Sequence, residues 1–460
     1  MPITVRFHQP TERLSGYAPH DQQHDNAGMS LRVLRVYHAA RDSQQHGREH
    51  ALAAAGVDLT LVVPSAWPNA AGDLFVTQEA FRVIEMPVQR AGDVNRHSYF
   101  DNGAMRQLVT EVRPDVVDIH EEPFSVAARQ WLNASPKDLP VVMYTAQNVD
   151  KRLPPPFSRY ERAAHRRVAA FYPCSRQAAS VLRGKGFAGA IEVLPLAYDD
   201  TVFTCGAQSL DDDEVVLMLA GRLVPEKGID DAIRTLVRVN AVRPARLVVS
   251  GRGSEETPAR RLAASLGVVD RVEFRGWQSG RDLAITYQAA HIVLVPSRPT
   301  ATWVEQFGRV IVEAQASGAV VASYASGSIP EVGGEAAVVV PTGEAEQLAD
   351  AVADLVLDRY EFARRRDAGL RQAATRTWPV VAKSQVALYQ AALEDRRAHH
   401  TLSPSPSRRR AAARAEFGPT AATLGGLRPF ALPLLRRGAL AHLLATAIDG
   451  MSEFASRSSR

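Results

Sequence analysis

The sequence predicts an α/β protein made of two doubly wound halves in tandem. Three observations carry this. Short apolar runs alternate with longer amphipathic stretches along most of the chain, the rhythm of a parallel sheet covered on both faces. The polar segment TCGAQSLDDDE (204–214) breaks that rhythm once, after which it restarts. At 460 residues the chain is long enough for two or three separate cores.

In the first half, LRVLRVYH (31–38), VDLTLVVP (57–64), VRPDVVDIH (112–120), LPVVMYTAQ (139–147), AAFYPCS (169–175) and IEVLPLA (191–197) read as buried strands. Each is too short for a helix and rich in β-branched or aromatic residues. Amphipathic stretches, such as Tyr99 to Val112, lie between several of them. In the second half the strands are EVVLMLAGRL (214–223), ARLVVSGRG (245–253), VEFRGW (272–277), HIVLVPS (291–297), AVVASYAS (319–326) and AAVVVP (336–341). Ligands of such sheets sit beyond the carboxyl ends of the strands. The expected organisation is an N-terminal domain over 1–205, a C-terminal domain over 206–378, a helix over 379–395 that packs back toward the first domain, and a tail over 396–460.

Composition narrows the function classes. A hydrophobic share of 46% with 23% charged residues is that of an ordinary globular protein. From Asp395 onward eleven Arg face four acids, so the tail carries +7 and the remainder −3 of a total of +4. A basic tail on an acidic body argues against a nucleic-acid groove in the core. The start, MPITVRFHQPTERLSGYAPH, has no apolar stretch, so no secretory signal is expected, and no run of about 20 apolar residues suggests a membrane span. Two cysteines, Cys174 and Cys205, fit a reducing cytoplasm.

Two stretches carry the chemistry. In LAGRLVPEKG (219–228) a strand gives way to a turn at Gly221, and Arg222 and Lys227 flank the start of a helix. Two cations beyond a strand end and beside a helix N-terminus suit a diphosphate, although the same residues also suit a solvated turn. In WVEQFGRVIVEAQASG (303–318), Glu305 precedes a helix that Phe307 and Gly308 open, and Glu313 lies inside it. Glycine lets backbone approach a ligand closely, and carboxylates accept hydrogen bonds from hydroxyls. One acid for a sugar, a phosphate cradle and one acid for a ribose describe a nucleotide-sugar site; an exposed acidic pair around an ordinary helix is the bland alternative. No metal is expected. Asp211, Asp212 and Asp213 lie in the linker and read as a solvated loop, and His46 and His50, spaced i, i+4, show no third ligand in the sequence.

AGRLVPEKGID, the two-glutamate element and SGSIPEVGG (326–334), in this order and spacing, resemble the donor-binding half of the family-4 retaining glycosyltransferases, which have the GT-B fold. PDVVDIHEEP (114–123), CSRQAASVLRGKGF (174–187) and VLPLAYDDTVF (193–203) resemble that family's first half more loosely, and the likeness covers about residues 31 to 395. The resemblance implies two Rossmann-like domains facing across a cleft. It also implies that Arg222 and Lys227, after Gly221, neutralise the donor diphosphate, that backbone around Phe307, Gly308 and Arg309 binds phosphate, that Glu305 meets donor-sugar hydroxyls, and that Glu313 holds the ribose. His120 would face the donor sugar across the cleft, with backbone near Arg275, Gly276 and Trp277 beside the base. The reaction implied is metal-independent hexosyl transfer with retention, in the synthesis of a glycolipid, polysaccharide or other glycoconjugate. It needs no cofactor beyond the nucleotide-sugar substrate.

The chain departs from the family in HAARDSQQHGREHAL (38–52), which has only Gly47 where a Gly-Gly pair is usual, and at Ala197 in place of a glycine. The acceptor side is therefore not expected to follow the family contact for contact. Another GT-B enzyme, such as a sugar-nucleotide epimerase or a glycan phosphorylase, and a non-catalytic nucleotide-sugar binder are the competing readings. A lipid-linked molecule is the acceptor in view. In the tail, Leu440, Leu443, Leu444, Ala447, Ile448 and Met451 follow helical spacing. An Arg-rich linker before such a helix fits either peripheral contact with the inner face of an anionic membrane, by a cytoplasmic protein, or a dispensable extension.

Overall fold

The computed structural model describes residues 30–68, 79–301 and 303–402. The first half holds a seven-stranded parallel sheet. Across the sheet the strands run Arg82–Met86, Asp58–Pro64, Arg32–Val36, Val116–Ile119, Val141–Thr145, Ala170–Pro173 and Ala190–Ile191. The second half holds a six-stranded parallel sheet ordered Val272–Gly276, Ala245–Ser250, Val215–Ala220, Ile292–Val295, Val320–Tyr324 and Val338–Val340. In each, chain order reverses beside the first strand of the half. The switch points therefore lie between Arg32–Val36 and Val116–Ile119, and between Val215–Ala220 and Ile292–Val295. Crevices at the carboxyl ends of those strands are where such sheets bind ligands.

Both sheets are buried on two faces. Leu34 and Val36 pack with Met105 and Trp131 on one side of the first sheet, and Val33 packs with Leu52, Leu61 and Tyr389 on the other. In the second half the helix Ile229–Asn240 places Ile229, Ala232, Ile233, Leu236 and Val239 against the sheet, the spacing of a helical stripe. A further apolar cluster joins Ala146, Cys174 and Tyr198 of the first half to Phe307, Ile311 and Val312 of the second. The long helix Trp378–Leu402 returns to the first half, where Val381, Ala382, Leu388, Tyr389 and Ala392 close the lower face of its sheet.

Four details differ from the sequence expectations. The edge strand Arg82–Met86 and the hairpin Val88–Gln89/Ser98–Tyr99 are additional elements. Of IEVLPLA only Ile191 belongs to a strand, although the N–H groups of Glu192 and Leu194 still donate to Phe171 and Pro173 (3.0 Å each) before Pro195, which has no N–H to give. The stretch from Tyr99 becomes a helix only at Asn102, where the Asp101 carboxylate caps the N–H groups of Gly103 and Ala104. The last helix runs on to Leu402, beyond the expected 395, since the first helix breaker past Trp378–Pro379 is Pro404. The tail beyond 402, with its expected amphipathic helix, lies outside the described residues. No helix among the described residues is long and apolar enough to cross a membrane.

Candidate functional site

The site assembles at the two switch points. After Val215–Ala220 the chain turns at Gly221, whose N–H donates to the Ser250 carbonyl (2.9 Å). Arg222 is exposed, and its guanidinium makes no hydrogen bond or ion pair among the described residues. A single 3-10 turn, Pro225–Lys227, precedes the helix that Gly228 caps. Lys227 Nζ donates to Glu305 Oε2 at 2.6 Å and sits 5.0 Å over the Trp303 ring. Ser297, just past the strand Ile292–Val295, donates from Oγ to the same carboxylate oxygen (3.2 Å). Glu305 is 8% exposed, so its charge is held by these two donors rather than by water.

Glu305 is also held through its backbone. Its carbonyl accepts from Asn148 Nδ2 of the first half (2.8 Å) and from the Ser328 N–H (3.0 Å). Gly327 lies so close that a Cβ there would stand 2.2 Å from the Glu305 carbonyl oxygen, at a φ of +56°. Phe307 is buried in the inter-half cluster. Gly308 follows in the left-handed region (φ +83°) as N-cap of the helix Arg309–Ala316. The N-terminal end of that helix carries the positive end of its dipole.

Arg309 Nε pairs with Glu313 Oε1 (3.0 Å) one turn along, while its Nη1 donates to Gln45 Oε1 (3.0 Å) in the loop after the first strand. Glu313 is buried and accepts from the Tyr287 hydroxyl at 3.4 Å. Burial pushes its pKa above the ordinary carboxylate range, against the pull of Arg309. Gly276, with φ +70°, ends the strand that leads to the exposed Trp277, and Arg275 pairs with Glu273 (2.7 Å).

His120 follows the strand Val116–Ile119 and donates its N–H to Val36 (2.8 Å). Its ring stacks on Tyr144 (centroids 3.9 Å, planes 22° apart) and meets the edge of Tyr37 at 4.2 Å. Burial, then the charges of Arg35 and Arg48, hold its pKa well below the ordinary imidazole value. It is therefore neutral at pH 7. Beneath it lies a buried polar network. Arg35 and Asp118 face each other across neighbouring strands. Arg35 Nε donates to Glu49 (2.6 Å), and Arg48 Nη1 donates to Gln385 Oε1 of the last helix (2.6 Å).

The structure thus brings Lys227 to Glu305 and Arg309 to Glu313. It sets His120 beside Tyr37, close to the loop that Arg309 touches. Arg222 stands free. Sequence reasoning missed Asn148, Ser297, Trp303, Tyr287 and Ser328, small polar or aromatic residues whose partners are remote in sequence. It also missed Arg35 and Asp118, for which a signal existed: charges inside strands that must be buried on both faces.

Two histidine groups could hold a cation. The third partner of His46 and His50, absent from local sequence, is Glu79, 3.1 Å from each. His38 Nδ1 lies 2.7 Å from Glu121 Oε2, with His97 Nε2 at 3.9 Å from the other oxygen. Both groups are histidine–carboxylate contacts within the fold. Asp211, Asp212 and Asp213 are exposed; Asp211 pairs with Arg359 and Asp212 with His291 (3.0 Å).

Comparison with known proteins matches both halves of the chain. Residues 206–373 match the family model "Glycosyl transferases group 1", and residues 49–202 match "Glycosyltransferase Family 4". A D-inositol 3-phosphate glycosyltransferase of Mycobacteroides abscessus is 35% identical over 252 residues, 52% of this chain and 53% of that protein. The protein described by the same words in Mycobacterium tuberculosis (strain F11) is 36% identical over 191 residues, 39% and 38% of the two chains. The chain spans about half the length, or less, of these curated relatives. Among solved structures, Anabaena HepE in complex with UDP superposes with a TM-score of 0.62 at 18% identity, over 79% of this chain and 100% of that one. Sucrose-phosphate synthase of Thermosynechococcus elongatus superposes with a TM-score of 0.61 at 18% identity, again over 79% and 100%. These likenesses fix the fold as GT-B, two Rossmann-like domains about a cleft. With both halves matched in order, the chain belongs to the family-4 glycosyltransferases.

Proposed function

We propose that the protein transfers a hexosyl-type sugar, with retention, from a nucleotide-diphosphate sugar to an acceptor hydroxyl. The observation that carries this is the Lys227–Glu305 pair (2.6 Å) beside the Gly308-capped helix that bears Glu313. It joins a phosphate-binding cation, a sugar-binding acid, an anion-binding helix end and a ribose-binding acid on one rim. In this reading residues 1–205 supply the acceptor side and 206–378 the donor side. Residues 379–395 tie the two together, and 396–460 form an appendage.

Arg222, Lys227 and the helix N-terminus neutralise the diphosphate, the work a metal does elsewhere. Glu305 keeps Lys227 aimed into the cleft and accepts from donor-sugar hydroxyls. Glu313, as carboxylate, accepts from the ribose hydroxyls. His120 meets the donor sugar from the other half. The bond from the anomeric carbon to the diphosphate oxygen breaks as the acceptor oxygen bonds the same carbon from the same face. The acceptor's proton passes to the departing diphosphate. The protein contributes position and charge stabilisation rather than a nucleophile.

Nucleoside diphosphate release from a panel of nucleotide sugars tests this, with wild type and Glu305→Ala side by side. The arms are no acceptor, D-inositol 3-phosphate and an extract of cell-envelope lipid. D-inositol 3-phosphate enters because the curated relatives are described as acting on it. One donor turned over by wild type, with the signal lost in Glu305→Ala, supports the transferase reading. Donors that bind and are never cleaved in any arm would refute it in favour of a binding protein. A donor converted without acceptor into another nucleotide sugar would indicate an epimerase.

A further inference from the structure

His120 Nδ1 lies 3.1 Å from the phenolic oxygen of Tyr172. That oxygen has one proton to give and two lone pairs to fill. Arg35 Nη1 fills one lone pair from 3.1 Å. The destination of the proton is decided by Asp118, which is fully buried. Its Oδ2 accepts from Arg35, from Gln385 Nε2 (3.1 Å) and from the Tyr389 hydroxyl (2.5 Å). Its Oδ1 has one donor, the Tyr172 hydroxyl. Were Tyr172 to give its proton to His120, a buried carboxylate oxygen would be left without a donor and would face a second bare oxygen in close contact. Both are costly in an interior. Tyr172 therefore donates to Asp118, and its remaining lone pair has to be filled by His120.

We infer that Tyr172 and Asp118, clamped by Gln385 and Tyr389 of the returning helix, lock His120 with its proton on Nδ1 and a bare lone pair on Nε2. Nε2 makes no hydrogen bond among the described residues and is not sealed from solvent. It is thus a fixed hydrogen-bond acceptor, suited to a hydroxyl that donates and unsuited to a phosphate oxygen. Tyr172 is a positioning residue: it acts on the substrate only through the imidazole. The tautomer follows from the network alone. That Nε2 meets a sugar hydroxyl rests on the glycosyltransferase reading.

The test uses the full-length protein carrying 15N-labelled histidine, with no substrate, at neutral pH. Long-range proton–nitrogen correlation spectra distinguish a proton on Nδ1 from one on Nε2. The His120 signal is the one of thirteen that His120→Gln removes. Wild type is expected to show Nδ1–H and bare Nε2; a proton on Nε2, or an imidazolium, overturns the inference. Tyr172→Phe is expected to move the proton to Nε2 or to mix the tautomers while the other twelve signals keep their places. It should also slow donor cleavage about tenfold, the scale of one misplaced hydrogen bond. An unchanged His120 signal in a folded Tyr172→Phe overturns the positioning role. Should that variant not fold, the wild-type spectrum still decides the tautomer. Tyr389→Phe leaves Arg35 and Gln385 on Asp118 and is expected to keep Nδ1–H; loss of it there also counts against the network as drawn. If wild type shows Nδ1–H but cleaves no donor, the proposed function fails and the tautomer stands.

Discussion

Asp118→Asn is the perturbation whose cost the structure defines best. Asp118, Arg35, Arg48 and Glu49 are all buried, and their charges cancel. The asparagine has the same shape, so no cavity opens. What is lost is one negative charge opposite Arg35, leaving two guanidinium groups against Glu49 alone. Breaking a buried pair in this way costs about 3–5 kcal/mol. The amide oxygen can still serve the three donors at Oδ2, so the lower end, about 3 kcal/mol, is expected. That is a large part of the roughly 5–15 kcal/mol that holds a typical protein folded. At about 2 °C per kcal/mol for a chain of this size, the melting temperature should fall by about 6 °C. The same change should act on His120. With the amide nitrogen at the Oδ1 position, Tyr172 accepts from asparagine and turns its proton to His120 Nδ1, which puts the imidazole proton on Nε2. Calorimetry and the histidine spectra measure the two effects, with Glu256→Gln, in an exposed pair one turn from Arg260, as a control expected to move little. A melting temperature within about 2 °C of wild type would refute the account of a buried, charge-balanced network.

Three further outcomes are expected. Lys227→Met should weaken nucleoside diphosphate binding by about 10- to 100-fold in titration calorimetry, the scale of a charge-assisted hydrogen bond; an unchanged affinity would remove Lys227 from the phosphate site. Glu313 has a raised pKa in the fold, so its ionised form costs stability above the ordinary carboxylate range, and acidification toward that raised value relieves the cost. Under the proposed function nucleotide binding needs the carboxylate, so it should fall over the same acid window, beginning at higher pH than an ordinary carboxylate would allow. A binding profile in Glu313→Gln as steep as in wild type would contradict this. His120 has a lowered pKa, so below about 6.5 the unfolded chain binds a proton that the fold refuses. Its contribution is present above that pH and is lost as pH falls toward the folded value. His120→Gln should flatten this part of the melting temperature against pH; an identical slope would show that His120 is not a source of the acid sensitivity.

How much of this was legible depends on the range of the interaction. Most of the strands are written in local patterns of apolar residues, and the structure repeats them, with IEVLPLA the exception. Gly308 as the start of a helix, with Glu305 before it and Glu313 within it, is likewise local. The edge strand Arg82–Met86 was hidden because Arg82 and Glu85 interrupt its apolar run, and an edge tolerates such charges. Glu79 completing the pair His46 and His50, and Asn148 gripping the backbone of Glu305, join residues that the fold alone brings together. Neither has a spacing to betray it. Arg35 and Asp118 are an intermediate case. A charge in the middle of LRVLRV and another in DVVDIH, both in strands with two buried faces, already require a partner for each. Register then makes them face one another.

The charges on the rim of the cleft decide which residue matters most for a donor bound without metal. Lys227 is already opposed by Glu305, and Arg309 by Glu313. A cation with a partner brings hydrogen-bond geometry to a diphosphate but adds little net charge. Arg222 has no such partner among the described residues, and the helix at Gly308 adds the equivalent of about half a charge. A nucleotide sugar carries one negative charge on each phosphate. Under the proposed function, Arg222 and the helix end therefore meet most of the excess, and Lys227 orients what they attract. It follows that removal of Arg222 should depend steeply on ionic strength, since an exposed charge acts at a distance that salt screens. Removal of Lys227, which works by contact and disturbs Glu305 as well, should not. Under the same proposal, the pairing of Lys227 with Glu305 ties phosphate recognition to sugar recognition, because a donor group that engages one partner acts on the other through their 2.6 Å contact.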